Sequence, residues 1–362
     1  MKLKKILYYT IGPEIMPSSR ARVYIYKKYL KKSNVSARII PAIGTRSCEY
    51  RIKKINNGIR KLFFASDAAL RLALFIISSL FYETIIIQKI LFPVKIIPLM
   101  KFLFRNKNMI FDIDDVIFIS HQNDAVTDSG NLYNKFSKNM ELYKRIVTST
   151  SFLNEMISEK FGIEFSKIIA VTDPIDTNVY KTSGRINPVM TIGWVGTPSN
   201  TVYLKECLYD LIKLHDEGYC FKLYFCGSDR AYIDRIIENR IECVYENWSL
   251  ENELAIYDNL DIGLMPLPDD VWSKGKGGYK LMLYMSMGKI AIASSVGINS
   301  VIADDGKNSF LVKPGESWYR KVKYVLDNYD KIYFIADNAR NKINSEYSLE
   351  KIAPKYLKAI SF

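Results

Sequence analysis

Three glycines and three lysines crowd into SKGKGGYK, Ser273 to Lys280, at the start of an apolar segment of helical spacing, Tyr279 to Met287. Glycine lets backbone amides approach a guest closely, and the first free amides of a helix together with its dipole favour an anion. Lys274, Lys276 and Lys280 add mobile positive charge around that spot. The chemistry this suits is the holding of a diphosphate by Gly277, Gly278, Tyr279 and the lysines; a solvated turn before a packing helix is the alternative. Gly288 fits the helix C-cap, and Ile290 to Ala293 the next buried strand.

A second group is FDIDD, Phe111 to Asp115, which ends an apolar run with Asp112, Asp114 and Asp115. Carboxylates this close resist joint ionisation unless a cation or hydrogen bonds compensate. They read either as a functional cluster or as caps of the following turn paired with Arg20 or Arg22. Near the start, Gly12 and Pro13 follow the first apolar run, and Ser18, Ser19, Arg20 and Arg22 come next. Either arginine could meet a phosphate.

The elements that must position these residues alternate between strand-like and helical runs, the mark of parallel α/β units. Strands are expected at Ile6 to Tyr9, Ala37 to Ala42, Thr84 to Gln88, Met109 to Ile113, Arg145 to Thr148 and Ile168 to Val171, with a helix over Ala21 to Lys31. A polar, proline-containing stretch, Asp173 to Asn187, interrupts this order. A second series follows at Met190 to Val195, Lys222 to Cys226, Glu242 to Tyr245, Ile262 to Met265, Ile290 to Ala293 and Ser309 to Val312. The runs are continuous rather than alternating, as suits strands covered on both faces. Small residues follow several of them, as in WVGTPSN (Gly196, Thr197, Ser199) and FCGSDR (Gly227), and ligands of open parallel sheets gather at the carboxyl ends of strands.

The chain's 362 residues suit two domains. Five cysteines at irregular spacing and two histidines argue against a disulfide framework or a zinc site, and point to a reducing cytoplasmic compartment. The basic N-terminus lacks a cleavage site and reads as a buried strand. The longest apolar run, Leu72 to Tyr82, is too short to span a bilayer, so no transmembrane helix is expected. A net charge of +13 asks for an acidic partner. Basic residues concentrate early, at Lys27, Lys28, Lys31, Lys32, Arg51, Lys53, Lys54, Arg60 and Lys61. They form a solvated face or, beside Leu70 to Phe81, a peripheral contact with an anionic membrane. No nucleic-acid motif is present, and nucleic acid is not an expected partner.

The stretch Val271 to Ser300 resembles the donor-binding segment of retaining GT-B glycosyltransferases of family four, the glycosyl transferases group 1. Its branch reads roughly K-x-G-F/Y-K-L-L-x-Y-M-A-x-G-x-P-V-V-A-S-x-V-G-x-N, matched here by Lys276, Gly278, Tyr279, Lys280, Leu281, Tyr284, Met285, Gly288, Ala293, Ser294, Val296, Gly297 and Asn299. PSSRARVYIYKKYLKK, TIIIQK, FDIDDVIF, VTDPIDTNVY, IGWVGTPSN and WSLENELAIYDNLDIGLMPLPDD are similar to the same branch in the same order.

The resemblance implies an α/β GT-B fold of two Rossmann-like domains with parallel sheets facing across a cleft. Residues 1–175 would bind the acceptor, residues 188–345 the nucleotide-sugar, and a helix within 346–362 would pack back on the first domain. It implies retaining transfer of a hexose-type sugar from a nucleotide-diphosphate donor to a hydroxyl of a glycan or lipid-linked acceptor in cell-surface glycan synthesis, with no metal or cofactor. Aligned on the family, Asp114 falls where a histidine faces the donor sugar. The family's two glutamates fall at Gly275 and Leu283, and its Arg and Lys pair is replaced by Gly196, Thr197, Ser199 and Asn200. Lys276 and Lys280 therefore become the expected leaving-group stabilisers, with Asp114 as the third catalytic residue, and Leu283 occupies the ribose position. The missing glutamates keep open a non-catalytic subunit that binds nucleotide or glycan. A manganese-binding D-x-D pair, as in single-domain glycosyltransferases, would leave the second half of the chain unexplained.

Overall fold

The computed structural model describes residues 5–52, 58–122, 125–127, 130–185 and 187–361. Lys53 and Lys54 of the early basic group lie outside the described residues, as do the side chains of Arg51, Arg60 and Lys61. The chain divides into two compact units. The first comprises Met1–Pro174, Gly275–Gly277 and Leu349–Phe362; the second comprises Ile175–Lys274 and Gly278–Ser348.

The first unit carries β1 (Lys5–Thr10), β2 (Ser36–Pro41), β3 (Thr84–Gln88), β4 (Asn108–Ile113), a small antiparallel pair β5 (Ser120–Gln122) and β6 (Ala125–Thr127), then β7 (Arg145–Thr148) and β8 (Ile168–Ala170). Six of these form a parallel sheet in the order β2-β1-β3-β4-β7-β8. In the second unit β9 (Thr191–Val195), β10 (Lys222–Cys226), β11 (Cys243–Glu246), β12 (Ile262–Met265), β13 (Ile290–Ser294) and β14 (Phe310–Val312) pair in parallel in the order β11-β10-β9-β12-β13-β14. Each run expected as a strand is one, with ends displaced by no more than a residue. β3, β9 and β13 are buried throughout, which explains why their sequences are apolar without alternation.

In both sheets strand order reverses beside the first strand: between β1 and β3 in one, and between β9 and β12 in the other. Those are the switch points where a parallel sheet opens a crevice at its carboxyl edge.

Two expectations are corrected. The helix expected over Ala21 to Lys31 is broken into helices Pro17–Arg22 and Lys27–Lys32 joined by a 3-10 turn, Tyr24–Tyr26. The chain leaves helical geometry at Val23 (φ −132°, ψ −57°), and Tyr26 stacks on Tyr356 of the C-terminal helix Leu349–Ala359 at 4.0 Å between ring centroids. The apolar run Leu72 to Tyr82 starts within a longer helix, Gly58–Ser79, and runs into the turn after it; the part Leu62–Ser79 is long and apolar enough to cross a membrane by length and composition.

Candidate functional site

At the β1/β3 switch point of the first unit, polar side chains close around the ends of the strands. Gln88, at the end of β3, accepts from the Ile11 amide (3.1 Å) and the Ser19 hydroxyl (3.2 Å), and its amide nitrogen donates to Ser18 Oγ (2.7 Å). Ser18 Oγ in turn donates to Asp114 Oδ2 at 2.5 Å. Gly12 sits over this cluster with its amide 3.3 Å from Ser19 Oγ, and a Cβ there would lie 2.6 Å from Met16 Cγ.

Lys89, the next residue after β3, adopts a left-handed backbone (φ 60°) and reaches both Asp114 (2.9 Å) and Asp115. An unbranched lysine held in that region carries local strain, a feature concentrated at functional sites. Burial alone would raise the Asp114 pKa, but Lys89 and Ser18 overcome it and hold the carboxyl below its usual range. Asp114 is thus an ionised, half-buried acceptor at the mouth of the sheet.

Arg22 and Asp112 do different work. Arg22 is wholly buried, and its five N–H donors match five acceptors: Asp112 Oδ1 (2.9 Å), Asp112 Oδ2 (2.9 Å), Asp173 Oδ1 (2.9 Å) and the carbonyls of Val171 (2.6 Å) and Thr148 (3.4 Å). Burial disfavours its charge, yet Asp112 and Asp173 hold its pKa well above the ordinary value. On the acid side, burial together with Asp114 and Asp112 outweighs Arg22 and pushes Asp173 up to about 6. The expected phosphate contact by Arg22 is therefore corrected: the guanidinium has neither surface nor donors to offer. Arg20 is also buried, with Nη1 3.5 Å from the Glu14 carbonyl. Asp112 follows the pairing alternative, and Asp112 and Asp114 are held by different cations, so the D-x-D string does not converge on one point.

Gly277, which belongs to the first unit, packs on this network. A Cβ there would lie 2.7 Å from Asp173 Oδ2 and 3.6 Å from Ser149 Oγ. Ser149 Oγ donates to the Asp114 carbonyl at 3.3 Å. Lys276 is half-buried in the same segment.

In the second unit the glycine-rich turn is held by its neighbours. Gly278 caps the helix Tyr279–Ser286 in left-handed geometry (φ 70°), and a Cβ there would meet Ile302 at 2.7 Å. Gly297 (φ 55°) lets the loop after β13 approach to where a Cβ would lie 2.7 Å from the Lys274 carbonyl oxygen. Tyr284 anchors the helix on the sheet: its hydroxyl oxygen accepts from the Val195 amide at 3.1 Å, and its ring fills the place a side chain at Gly263 would take.

This docking brings Lys280 Nζ to 4.8 Å from the Trp194 ring centroid at the end of β9. The same ring occupies the space beside Gly196, whose carbonyl would lie 2.4 Å from a Cβ on left-handed Gly227. Gly196, Gly227, Trp194 and Lys280 thus meet at the carboxyl edge of the second sheet. Exposed Thr197 and Ser199 follow, with hydroxyls 3.3 Å apart. Tyr279 is half-buried against the core, but Leu283 is 1% exposed within it, so its expected contact with a ribose is corrected: no surface is available for one.

Trp194 and Lys89 were not singled out from sequence. The available signal was position, since each lies at or just after the end of a buried strand.

A cavity of about 520 Å³ in the second unit lies elsewhere, between Glu206, Asp210, Asp269, Glu316, Lys313 and Trp318 among other residues. Four carboxylates against one lysine make it a poor receptor for a diphosphate. Asp210 there accepts from Ser317 Oγ (2.8 Å) and the Tyr319 amide (3.0 Å), which fixes the start of the helix Trp318–Asn328.

Comparison with known proteins bears on both units. Residues 189–328 match the family model described as glycosyl transferases group 1. No curated protein sequence matches significantly. Among solved structures, a glycosyltransferase from Rickettsia africae aligns with a TM-score of 0.70 at 15% identity, covering 99% of this chain and 98% of that one. HepE of Anabaena, crystallised with UDP, aligns at 0.66 and 13% identity over 99% of each chain. Sucrose-phosphate synthase from Thermosynechococcus elongatus gives 0.66 and 10% identity over 98% of each. The two parallel α/β units therefore have the GT-B glycosyltransferase fold, and the second is similar in sequence to glycosyl transferases group 1.

Proposed function

We propose that the protein transfers a hexose-type sugar from a nucleotide-diphosphate donor to an acceptor hydroxyl with retention of anomeric configuration. The observation that carries this reading is Lys280, in the first turn of the helix that Gly278 caps, reaching Trp194 beside the Gly196–Gly227 approach at the carboxyl edge of the second sheet. Helix-start amides, a helix dipole and a cation placed together stabilise the negative charge that grows on a departing diphosphate. Lys280 Nζ lies over the Trp194 indole at the end of β9, where a cation can meet a diphosphate. Lys276, four residues earlier in sequence, is the second lysine to which we give a leaving-group role.

Asp114, kept ionised by Lys89 and Ser18, accepts a hydrogen bond from a hydroxyl of the sugar or the acceptor. Such transfer depends on positioning and charge stabilisation, and we assign neither a metal ion nor a cofactor to it. HepE was crystallised with UDP-glucose, and a pneumococcal O-GlcNAc transferase, GtfA, with UDP and GlcNAc. These support a nucleotide-sugar donor and a glycan-type acceptor here; we further propose that the acceptor is a glycan or lipid-linked precursor of cell-surface glycan, met at the cytoplasmic side.

The test is incubation with UDP-, GDP-, TDP- and ADP-sugars in the presence of EDTA. Saturable binding of one nucleotide class with slow hydrolysis of its sugar is expected; binding of none refutes the reading. Gly275 and buried Leu283, where the family places glutamates, favour a second reading as a non-catalytic nucleotide- or glycan-binding subunit. Under that reading nucleotide binds without any hydrolysis or transfer.

A further inference from the structure

The helix Gly58–Ser79 in the first unit turns an apolar stripe outward. Leu70 is 72% exposed, Ile77 59% and Phe81, in the turn that follows, 74%; exposed Leu74 lies between them at helical spacing. Only 17% of the stretch Leu62–Ser79 is buried, whereas a core helix of that composition would be mostly covered. The neighbouring helix Ile97–Phe104 extends the face with exposed Leu99 and Phe102, and the two helices touch through Phe75 and Phe104, whose ring centroids are 5.9 Å apart. Contiguous apolar surface of this kind marks a contact site.

Its border is basic. Lys107 Nζ donates to the carbonyls of Leu80 (3.3 Å) and Tyr82 (2.8 Å), which places it at the turn carrying Phe81. Arg105 stands over the Phe102 ring at 5.1 Å, and Lys95 is exposed. Within residues 58–107 eight lysines and arginines accompany two acids, Asp67 and Glu83. Asp67 is engaged, accepting from the Gly44 amide (2.7 Å), Ser47 Oγ (2.6 Å) and Arg71 (2.7 Å).

We infer that this face lies on an anionic lipid bilayer, with the apolar stripe in the headgroup boundary and Lys95, Arg105 and Lys107 against lipid phosphates. An apolar face bordered by basic residues that are drawn to anionic lipid is what an interfacial helix needs. The helix rests on the membrane rather than crossing it, because its other face is fixed to the unit. Phe75 stacks on Tyr9 at 4.3 Å, Ser78 and Ser79 are buried, and the Asp67 cluster ties the helix to Gly44 and Ser47. The inference does not depend on the transferase reading.

Flotation of the full chain with phosphatidylcholine vesicles, with and without one-third phosphatidylglycerol, tests it. Binding is expected only to the anionic vesicles and should weaken with salt. Leu70→Glu with Ile77→Glu should reduce it at least tenfold, and Lys95→Gln with Arg105→Gln should reduce it and flatten the salt dependence. Phe81→Trp, at an exposed position, should show a blue shift in added emission on anionic vesicles even if the charged variants fold poorly. Failure of the wild type to bind, unchanged emission from Phe81→Trp, or a dimer that Leu70→Glu with Ile77→Glu dissociates would each overturn the inference, the last by making the face a contact between copies.

Discussion

Removing the Arg22 guanidinium leaves Asp112 and Asp173 buried without their cation. Arg22→Leu should therefore destabilise the first unit by about 3–5 kcal/mol, the usual cost of breaking a buried pair from one side. Urea unfolding reads this directly, and a loss under about 1 kcal/mol would contradict a structural role. Lys89 acts through Asp114. That carboxyl is held below its unfolded pKa near about 4, so its contribution to stability is present above that pH and is lost as pH falls through the lower native value. In Lys89→Met burial is no longer offset by the lysine, and both the acid-unfolding midpoint and the acid limb of activity should move to higher pH. Unmoved profiles would show that Lys89 does not control Asp114. Pairing of Arg22 with an FDIDD carboxylate was one of the alternatives the sequence offered, but its second partner, Asp173, lies 151 residues away, and the left-handed Lys89 arises only where the chain turns off β3. By contrast, the strain of three adjacent carboxylates was visible in FDIDD itself.

The glycine-rich turn is shaped by the loop that backs it. Gly297→Ala places a methyl group against the Lys274 carbonyl at a backbone angle that only glycine adopts easily. The expected result is a tenfold or greater loss of nucleotide affinity with a smaller loss of stability, measured by calorimetric titration and thermal unfolding; unchanged affinity would separate the turn from the donor. The strands were readable to within a residue because buried parallel strands require continuous β-branched and aromatic runs. Helix ends were less so. The pattern from Ala21 to Lys31 is helical, but packing of Tyr26 on Tyr356 and burial of Arg22 override it at Val23. Leu283 shows the same limit: alignment assigned it a ribose, while its helix face points into the core.

For the whole chain, the C-terminal helix belongs to the first unit although it follows the second in sequence. Ile352, Ala353 and Tyr356 are buried there, and Arg145 donates to the carbonyls of Ala359 (2.8 Å) and Ser361 (2.5 Å). A chain ending at Ser348 should lower the unfolding temperature of the first unit and leave that of the second nearly unchanged in scanning calorimetry; equal loss in both would contradict the division. The most direct measurement for the account is calorimetric titration of a nucleoside diphosphate, across the four bases, into the wild type and into Lys280→Ala. One base should bind at one equivalent to the wild type, and Lys280→Ala, with its fold intact by circular dichroism, should bind at least tenfold more weakly, a loss of about 1.4 kcal/mol. Undiminished affinity in the folded variant would contradict the placement of the diphosphate at the helix start of Tyr279.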